Sequence, residues 1–295
     1  MKHGISPKEL AEAIGVSESS VKRWVDQGAL TAFRTTGGHR RIARDEAMRW
    51  LRDQRLQIVR PDRLGLSESV MQITRASPLG VAGERFHEDL VEGRGAEARG
   101  VLVGLFLAGH SVGVIADEVI RPAMSRIGTL WQHGTEGIFI EHRATDLCVR
   151  AVEELRGLLP DNAEPDAPVV VTAAPSTDPY LVAPMLASLA LTEVGWRAHN
   201  LGPDTPTSVL LLAGRQLEAR MLLVSVGIPL TETLRSELET LIDVAGRDGR
   251  LVALGGRFID ALQLPERPHL FIGRSLGELA AFGRGFVRKL DQATA

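Results

Sequence analysis

The run Pro168-Val169-Val170-Val171-Thr172-Ala173-Ala174 carries no charge and a single polar side chain. It is short for a helix and too uniformly apolar for a strand with one wet face, so it predicts a strand buried on both faces. The chain beyond repeats the theme. A helix is expected from about Pro179 to Val194, then a strand Arg197–Leu201 and a helix Thr207–Ala219. Strand Met221–Val226, helix Thr231–Ala245, strand Arg250–Leu254, a short strand His269–Ile272 and a terminal helix follow. Strands alternating with helices at this spacing imply an α/β doubly wound, Rossmann-like domain, placed at 166–295. Such sheets bind ligands at the carboxyl ends of their strands. Those ends are Ser176-Thr177-Asp178, Gly202-Pro203-Asp204-Thr205, Ser225-Val226-Gly227 and Gly255-Gly256.

Upstream, from Ser67 to Leu159, helical periods replace alternation. Val101, Leu102, Leu105 and Phe106 form one apolar stripe, and Val112, Ile115, Val119 and Ile120 a second. Ile138, Ile140, Leu147, Val149, Val152 and Leu155 form a third. A four-helix bundle over 67–160 is the expected architecture. Ile58–Leu66, with Pro61 and Gly65, reads as a linker, and Gly100, Gly104 and Gly109 as sites of close helix packing.

The first 57 residues read as a winged helix-turn-helix. Ser6-Pro7 opens a helix that Gly15 stops; Ser17 caps a second from about Glu18 to Gln27, with Val21, Trp24 and Val25 turned inward. Ala29–Ile42 forms a hairpin turning at Gly37-Gly38, and Asp45 caps a further helix to about Gln54. Residues 1–60 hold 12 Lys and Arg against 7 Asp and Glu, a net of +5, although the whole chain carries −3. A basic end on an acidic body suits a polyanion partner. The expected DNA contacts are Ser19, Lys22 and Arg23 on the second helix and Arg34, His39, Arg40 and Arg41 on the wing, most of them to phosphate. Heads of this kind work in pairs on half-sites of a double-stranded operator, so a homodimer or homotetramer is expected.

A length of 295 residues suits two or three domains, and the lone Cys148 excludes an intrachain disulfide and suits a reducing compartment. With no apolar run long enough for a bilayer, the expectation is a cytoplasmic protein with no membrane partner. No nucleophile–base pair or phosphate loop stands out, so no enzymatic activity is expected.

The segment Thr36-Gly37-Gly38-His39-Arg40-Arg41-Ile42 resembles the wing of MerR-type regulators. Trp131, followed ten residues on by Glu141-His142, is similar to the Wx9EH motif of the CarH/LitR family of B12-dependent, light-sensitive MerR-type regulators. That resemblance implies a bundle lying over adenosylcobalamin, with Trp131 covering the adenosyl group and Glu141 and His142 contacting it. The strand-end loops resemble the family's cobalamin signature of DxHxxG, SxL and GG. They imply ligand contacts at Asp178, Tyr180, Asp204, Thr205, Ser225, Gly227, Gly255 and Gly256, the paired glycines leaving room for a ligand tail along the backbone.

The departures concern the metal. Tyr180 stands where the family has its lower axial histidine, Ala183 where it has the signature glycine, and Gly227 where it has the leucine of SxL. Gln132 replaces the histidine that follows the tryptophan, leaving His133 one position off. A neutral imidazole ligates cobalt readily, whereas a phenol must first lose a proton with a pKa of about 10. His133 and Tyr180 are thus the only metal ligands to consider, and His-ligated cobalamin is not expected. Three readings stay open: a repressor whose sensor has lost that ligand, a regulator still using adenosylcobalamin or another chromophore as a light sensor, and the corrinoid-carrier module of a methyltransferase.

Overall fold

The chain starts with a two-residue strand, β1 (Gly4–Ile5), and helix α1 (Pro7–Ile14). The Ser6 hydroxyl accepts the Glu9 N–H at 3.1 Å while Glu9 accepts the Ser6 N–H at 2.7 Å, a reciprocal cap that satisfies two otherwise orphaned donors. Gly15 ends the helix in the left-handed region. Ser17 caps α2 (Glu18–Asp26), whose Val21 is buried, with Trp24 and Val25 half-buried. Strands β2 (Phe33–Arg34) and β3 (Arg40–Ala43) form the wing, and β1 adds to it antiparallel in the order β1-β3-β2. Helix α3 (Arg44–Gln54) follows directly. Its N-cap is Ala43, which offers no side-chain acceptor. Asp45, expected as the cap, lies instead in the first turn, where its charge suits the helix dipole.

The computed structural model describes residues 4–73, 77–159, 166–262, 264 and 266–294, and the chain divides into two units, Met1–Asp161 and Asn162–Ala295. In the first unit, the stretch expected as a linker is packed. Val59 and Arg60 donate to the Ala13 carbonyl at 2.8 and 3.0 Å, and Ile58, Pro61, Leu64 and Leu66 are buried around a 3-10 turn at Pro61–Leu64. Its apolar residues outweigh its turn formers, so it closes over α1.

Helices α4 (Leu79–Glu92) and α5 (Gly95–Leu107) lead to α6 (Val112–Ile115), which runs through a π turn at Ala116–Ile120 into α7 (Arg121–Ile127). Pro122 explains that turn: it has no N–H for the carbonyl four residues back, and widening the helix relieves the ring clash. The fourth leg is α8 (Gly134–Arg156), which buries Gly137, Ala144, Cys148, Ala151, Val152 and Leu155. Burial pushes the Cys148 thiol up to about 12, which makes it a packing residue and not a nucleophile. Two of the α5 glycines have the expected role, though their partner is not a helix. A 3-10 turn at Glu68–Gln72 lies across them, so that a Cβ on Gly100 would fall 1.8 Å from Ser69 Oγ and one on Gly104 2.7 Å from Ile73 Cβ. Gly109 has a φ of +99° and open space around it, so it turns the chain at the end of the helix. Alanine at 104 gains about 1 kcal/mol of helix propensity, while the forced crowding costs about 1–3. Gly104→Ala is therefore expected to lower the stability of this unit by roughly 1 kcal/mol, read as a fall in its thermal midpoint.

The second unit has β4 (Val169–Pro175), α9 (Val182–Glu193), β5 (Arg197–Thr205), α10 (Thr207–Gln216), β6 (Met221–Ser225), α11 (Glu232–Arg247), β7 (Leu251–Gly255), β8 (Leu270–Ile272) and α12 (Leu276–Thr294). All five strands are parallel, in the order β5-β4-β6-β7-β8. Leu210, Leu234, Leu238 and Leu241 of α10 and α11 pack on one face with Val171, Leu222 and Val252. Ala187, Leu191 and Leu279 of α9 and α12 cover the other, with Val170, Trp196 and Ala253. The chain winds outward from β4 in both directions, which opens the switch-point crevice between the carboxyl ends of β4 and β6. Helix α9 begins at Val182, three residues later than expected, because the Asp178 carboxylate takes the Tyr180 N–H at 3.0 Å and holds that stretch as a loop.

Candidate functional site

Asp178 follows β4 at the crevice and is fully buried. Its Oδ1 accepts the Tyr180 N–H at 3.0 Å and its Oδ2 the Gly227 N–H at 2.6 Å. The backbone carbonyl of Asp178 accepts the Asp204 N–H at 2.9 Å, and Asp204 Oδ1 accepts the Thr177 N–H at 2.7 Å. The Asp178 carboxylate thus ties the loops after β4 and β6 together, while its backbone carbonyl and the Asp204 carboxylate join the first of these loops to the end of β5. Burial pushes the Asp178 carboxyl above the ordinary range, and the surrounding backbone N–H groups, Gly227 first, oppose that shift. Thr177 and Asp204 both hold positive φ, +67° and +49°. For β-branched Thr177 this is a strained conformation, and the Asp204 bond holds it in place. In the sequence Thr177 stands out only as one residue of the strand-end loop Ser176-Thr177-Asp178, because backbone strain leaves no trace in residue type.

The Tyr180 ring is 55% exposed and lies over Gly227, where a Cβ would come within 2.6 Å of its Cδ2. The ring uses the space that a leucine at 227 would need, so the two departures from the B12 signature fit each other. Ser225 and Thr205 are buried, and the Thr205 hydroxyl faces the Gly202 and Pro203 carbonyls at 3.4 Å. The Gly255-Gly256 pair has an internal cause: a Cβ on Gly256 would lie 2.3 Å from the Val226 carbonyl oxygen, at a φ of +113°. A Cβ on Gly255 would meet the Gly273 oxygen at 3.3 Å. Close approach of two backbones requires glycine at 256.

The other candidate surface is on the helical unit. Trp131, in the 3-10 turn Leu130–His133, is 59% exposed, and Phe139 on α8 is 57% exposed. Thr135, Ile138, Phe139 and His142 are all exposed at a spacing that puts them on one face of α8. Ile138 was expected in the core, but α8 turns Ala144, Cys148 and Ala151 inward instead, and so presents Ile138 to solvent. The Arg143 guanidinium sits 4.8 Å from the Phe139 ring centre. Glu141 is mostly buried and accepts from the Thr145 hydroxyl at 3.0 Å; His142 Nε2 is 3.5 Å from its other oxygen. Trp131 and Phe139 are thus large apolar side chains left facing solvent on this unit. The His133 side chain lies outside the described residues. Among those described, no group of three or more His, Cys, Asp and Glu forms a metal cage, and no helix is long and apolar enough to cross a membrane.

On the winged head the expected contacts divide. Arg40 pairs with Asp26 at 2.8 Å, Arg41 with Glu9 at 3.1 Å and Lys22 with Glu18 at 2.8 Å. Arg23 and Arg34 are exposed and make no ion pair among the described residues; Ser19 and His39 are exposed as well. Arg41 also holds the Gly4 carbonyl at 3.4 Å, which fastens the wing to β1.

Residues 5–55 match a family model described as a helix-turn-helix domain, and residues 82–156 one described as a B12 binding domain. The second match falls on the bundle, Trp131 face included. Dimethylamine corrinoid protein 1 of Methanosarcina acetivorans is 26% identical over 148 residues, which is 48% of this chain and 68% of that protein. The dimethylamine corrinoid protein of Methanosarcina barkeri is 24% identical over the same length and shares. The structure of the Methanosarcina barkeri monomethylamine corrinoid protein superposes with a TM-score of 0.51 at 15% identity, covering 70% of this chain and 98% of that one, a likeness of fold. The chain thus joins a helix-turn-helix domain of DNA-binding type to a B12 binding domain.

Proposed function

We propose that this chain is a transcription regulator, a repressor that binds a double-stranded operator as a homodimer or homotetramer and has no enzymatic activity. Its B12-type module does not hold cobalt through a protein histidine. The observation that carries the second part is the Tyr180–Gly227–Asp178 arrangement. The residue in the lower ligand position is a phenol lying over Gly227, and the carboxylate two residues before it is engaged by backbone N–H groups. These residues do not fit a His-ligated corrinoid. In its absence the module serves assembly, because two heads held together bind a paired operator far more tightly than one.

A second reading is favoured by the Trp131 and Phe139 surface: a corrinoid retained without a protein ligand below the metal. The names of the relatives support a third, a methyltransferase corrinoid carrier, against which the winged head counts. Size-exclusion of the full chain with adenosylcobalamin, before and after illumination, separates the first two readings. We expect one oligomeric mass under both conditions. Retained corrinoid with a light-induced loss of mass overturns the proposal, and retained corrinoid at constant mass supports the second reading.

A further inference from the structure

Helix α3 touches the bundle at both of its ends. At the first, Arg44 Nη2 lies 2.6 Å from Glu154 Oε1 near the end of α8, both side chains about three-quarters buried, and Arg44 Nε donates to the Leu64 carbonyl at 3.3 Å. At the second, the Arg52 guanidinium stacks 4.0 Å above the buried Phe106 ring of α5 and donates to the His110 carbonyl at 3.2 Å. The two arginines are eight residues apart, about 12 Å along the axis. Two such points fix a rod's direction where one would leave it free to pivot. On roughly the opposite side of α3, at about 100° per residue, Trp50 is buried with its ring centre 4.9 Å from that of Trp24 on α2.

We infer that α3 is a clamp that sets the orientation of α2 from the bundle. Arg44 and Arg52 are positioning residues for DNA binding and do not touch DNA. The inference rests on the DNA-binding reading for its biological meaning, but the clamp itself is a property of the free protein. Bundle displacements reach α2 through Glu154 and Phe106, then α3, then the Trp50–Trp24 contact.

The test is hydrogen exchange on the full chain. Spatial intermediacy alone does not establish coupling, so a cycle of variants is required. In Arg44→Ala/Arg52→Ala, amides of α2 and α3 should exchange about tenfold faster, the loss expected for one cation–π contact and one partly buried ion pair, with α4 unchanged. Arg44→Glu alone should do the same, and adding Glu154→Arg should restore most of the protection. Unchanged exchange in the double alanine variant, or no rescue by the reversed pair, overturns the clamp. Duplex affinity is measured alongside and should fall about tenfold as the heads lose their fixed geometry. Should the wild-type chain bind no duplex, the DNA-binding reading fails, while the exchange result still decides the clamp.

Discussion

Replacing Arg23 and Arg34 together with alanine is expected to weaken duplex binding by about a hundredfold at fixed salt and to lower the salt slope by about two. Both guanidinium groups are exposed, one on α2 and one on the wing, and neither has an ion-pair partner among the described residues to give up on meeting phosphate. Arg40 and Arg41 should behave differently. Each must leave or share a carboxylate, Asp26 or Glu9, so its net gain on DNA is smaller. Arg41→Ala should act mainly by loosening the wing from β1, with a smaller change in salt slope than Arg23→Ala. Fluorescence anisotropy of a labelled duplex, titrated at several salt concentrations, separates the two behaviours. Equal slopes for the single alanine variants of Arg23, Arg34, Arg40 and Arg41 would show that the ion pairs do not matter.

Asp178→Ala is expected to cost the C-terminal unit about 3 kcal/mol, because it strands the Tyr180 and Gly227 N–H groups at the crevice, each worth about 1–3 kcal/mol when buried unsatisfied. Asp178→Asn should cost less, since one amide oxygen still accepts while the NH2 faces a donor. The pH dependence has a definite sign. The folded state binds this proton more tightly than the unfolded chain, so ionisation of Asp178 opposes folding above its folded pKa. That penalty is relieved as pH falls through the folded value toward the ordinary one. Asp178→Ala should remove this gain at mildly acid pH as well as the hydrogen bonds. Denaturant unfolding of the second unit at neutral pH and near the ordinary carboxylate pKa reads both effects.

Much of this architecture was legible where short-range chemistry decides the outcome. Ser6 and Ser17 mark helix starts because their hydroxyls accept N–H groups three residues on, and Val169–Ala174 marks a central strand because it has no wet face. The failures share a cause, a partner distant in sequence. Ile58–Leu66 looks like a linker until Ala13 supplies acceptors for it. Ile138 looks like core until α8 buries its small residues instead. Arg40 and Arg41 look like free cations until Asp26 and Glu9 fold beside them. The Gly227 substitution is unexplained in sequence, and the Tyr180 ring accounts for it only in three dimensions.

In the proposed reading no histidine of this chain ligates the cobalt of a corrinoid. Electron paramagnetic resonance of cob(II)alamin with full chain carrying nitrogen-15 histidine tests it most directly, with Tyr180→His as the positive control. The account predicts no coupling of the metal to labelled nitrogen in the wild-type chain, whether or not corrinoid is retained, and a two-line nitrogen pattern in the control. The same two-line pattern in the wild-type protein would place a histidine of this chain on the metal and contradict the account.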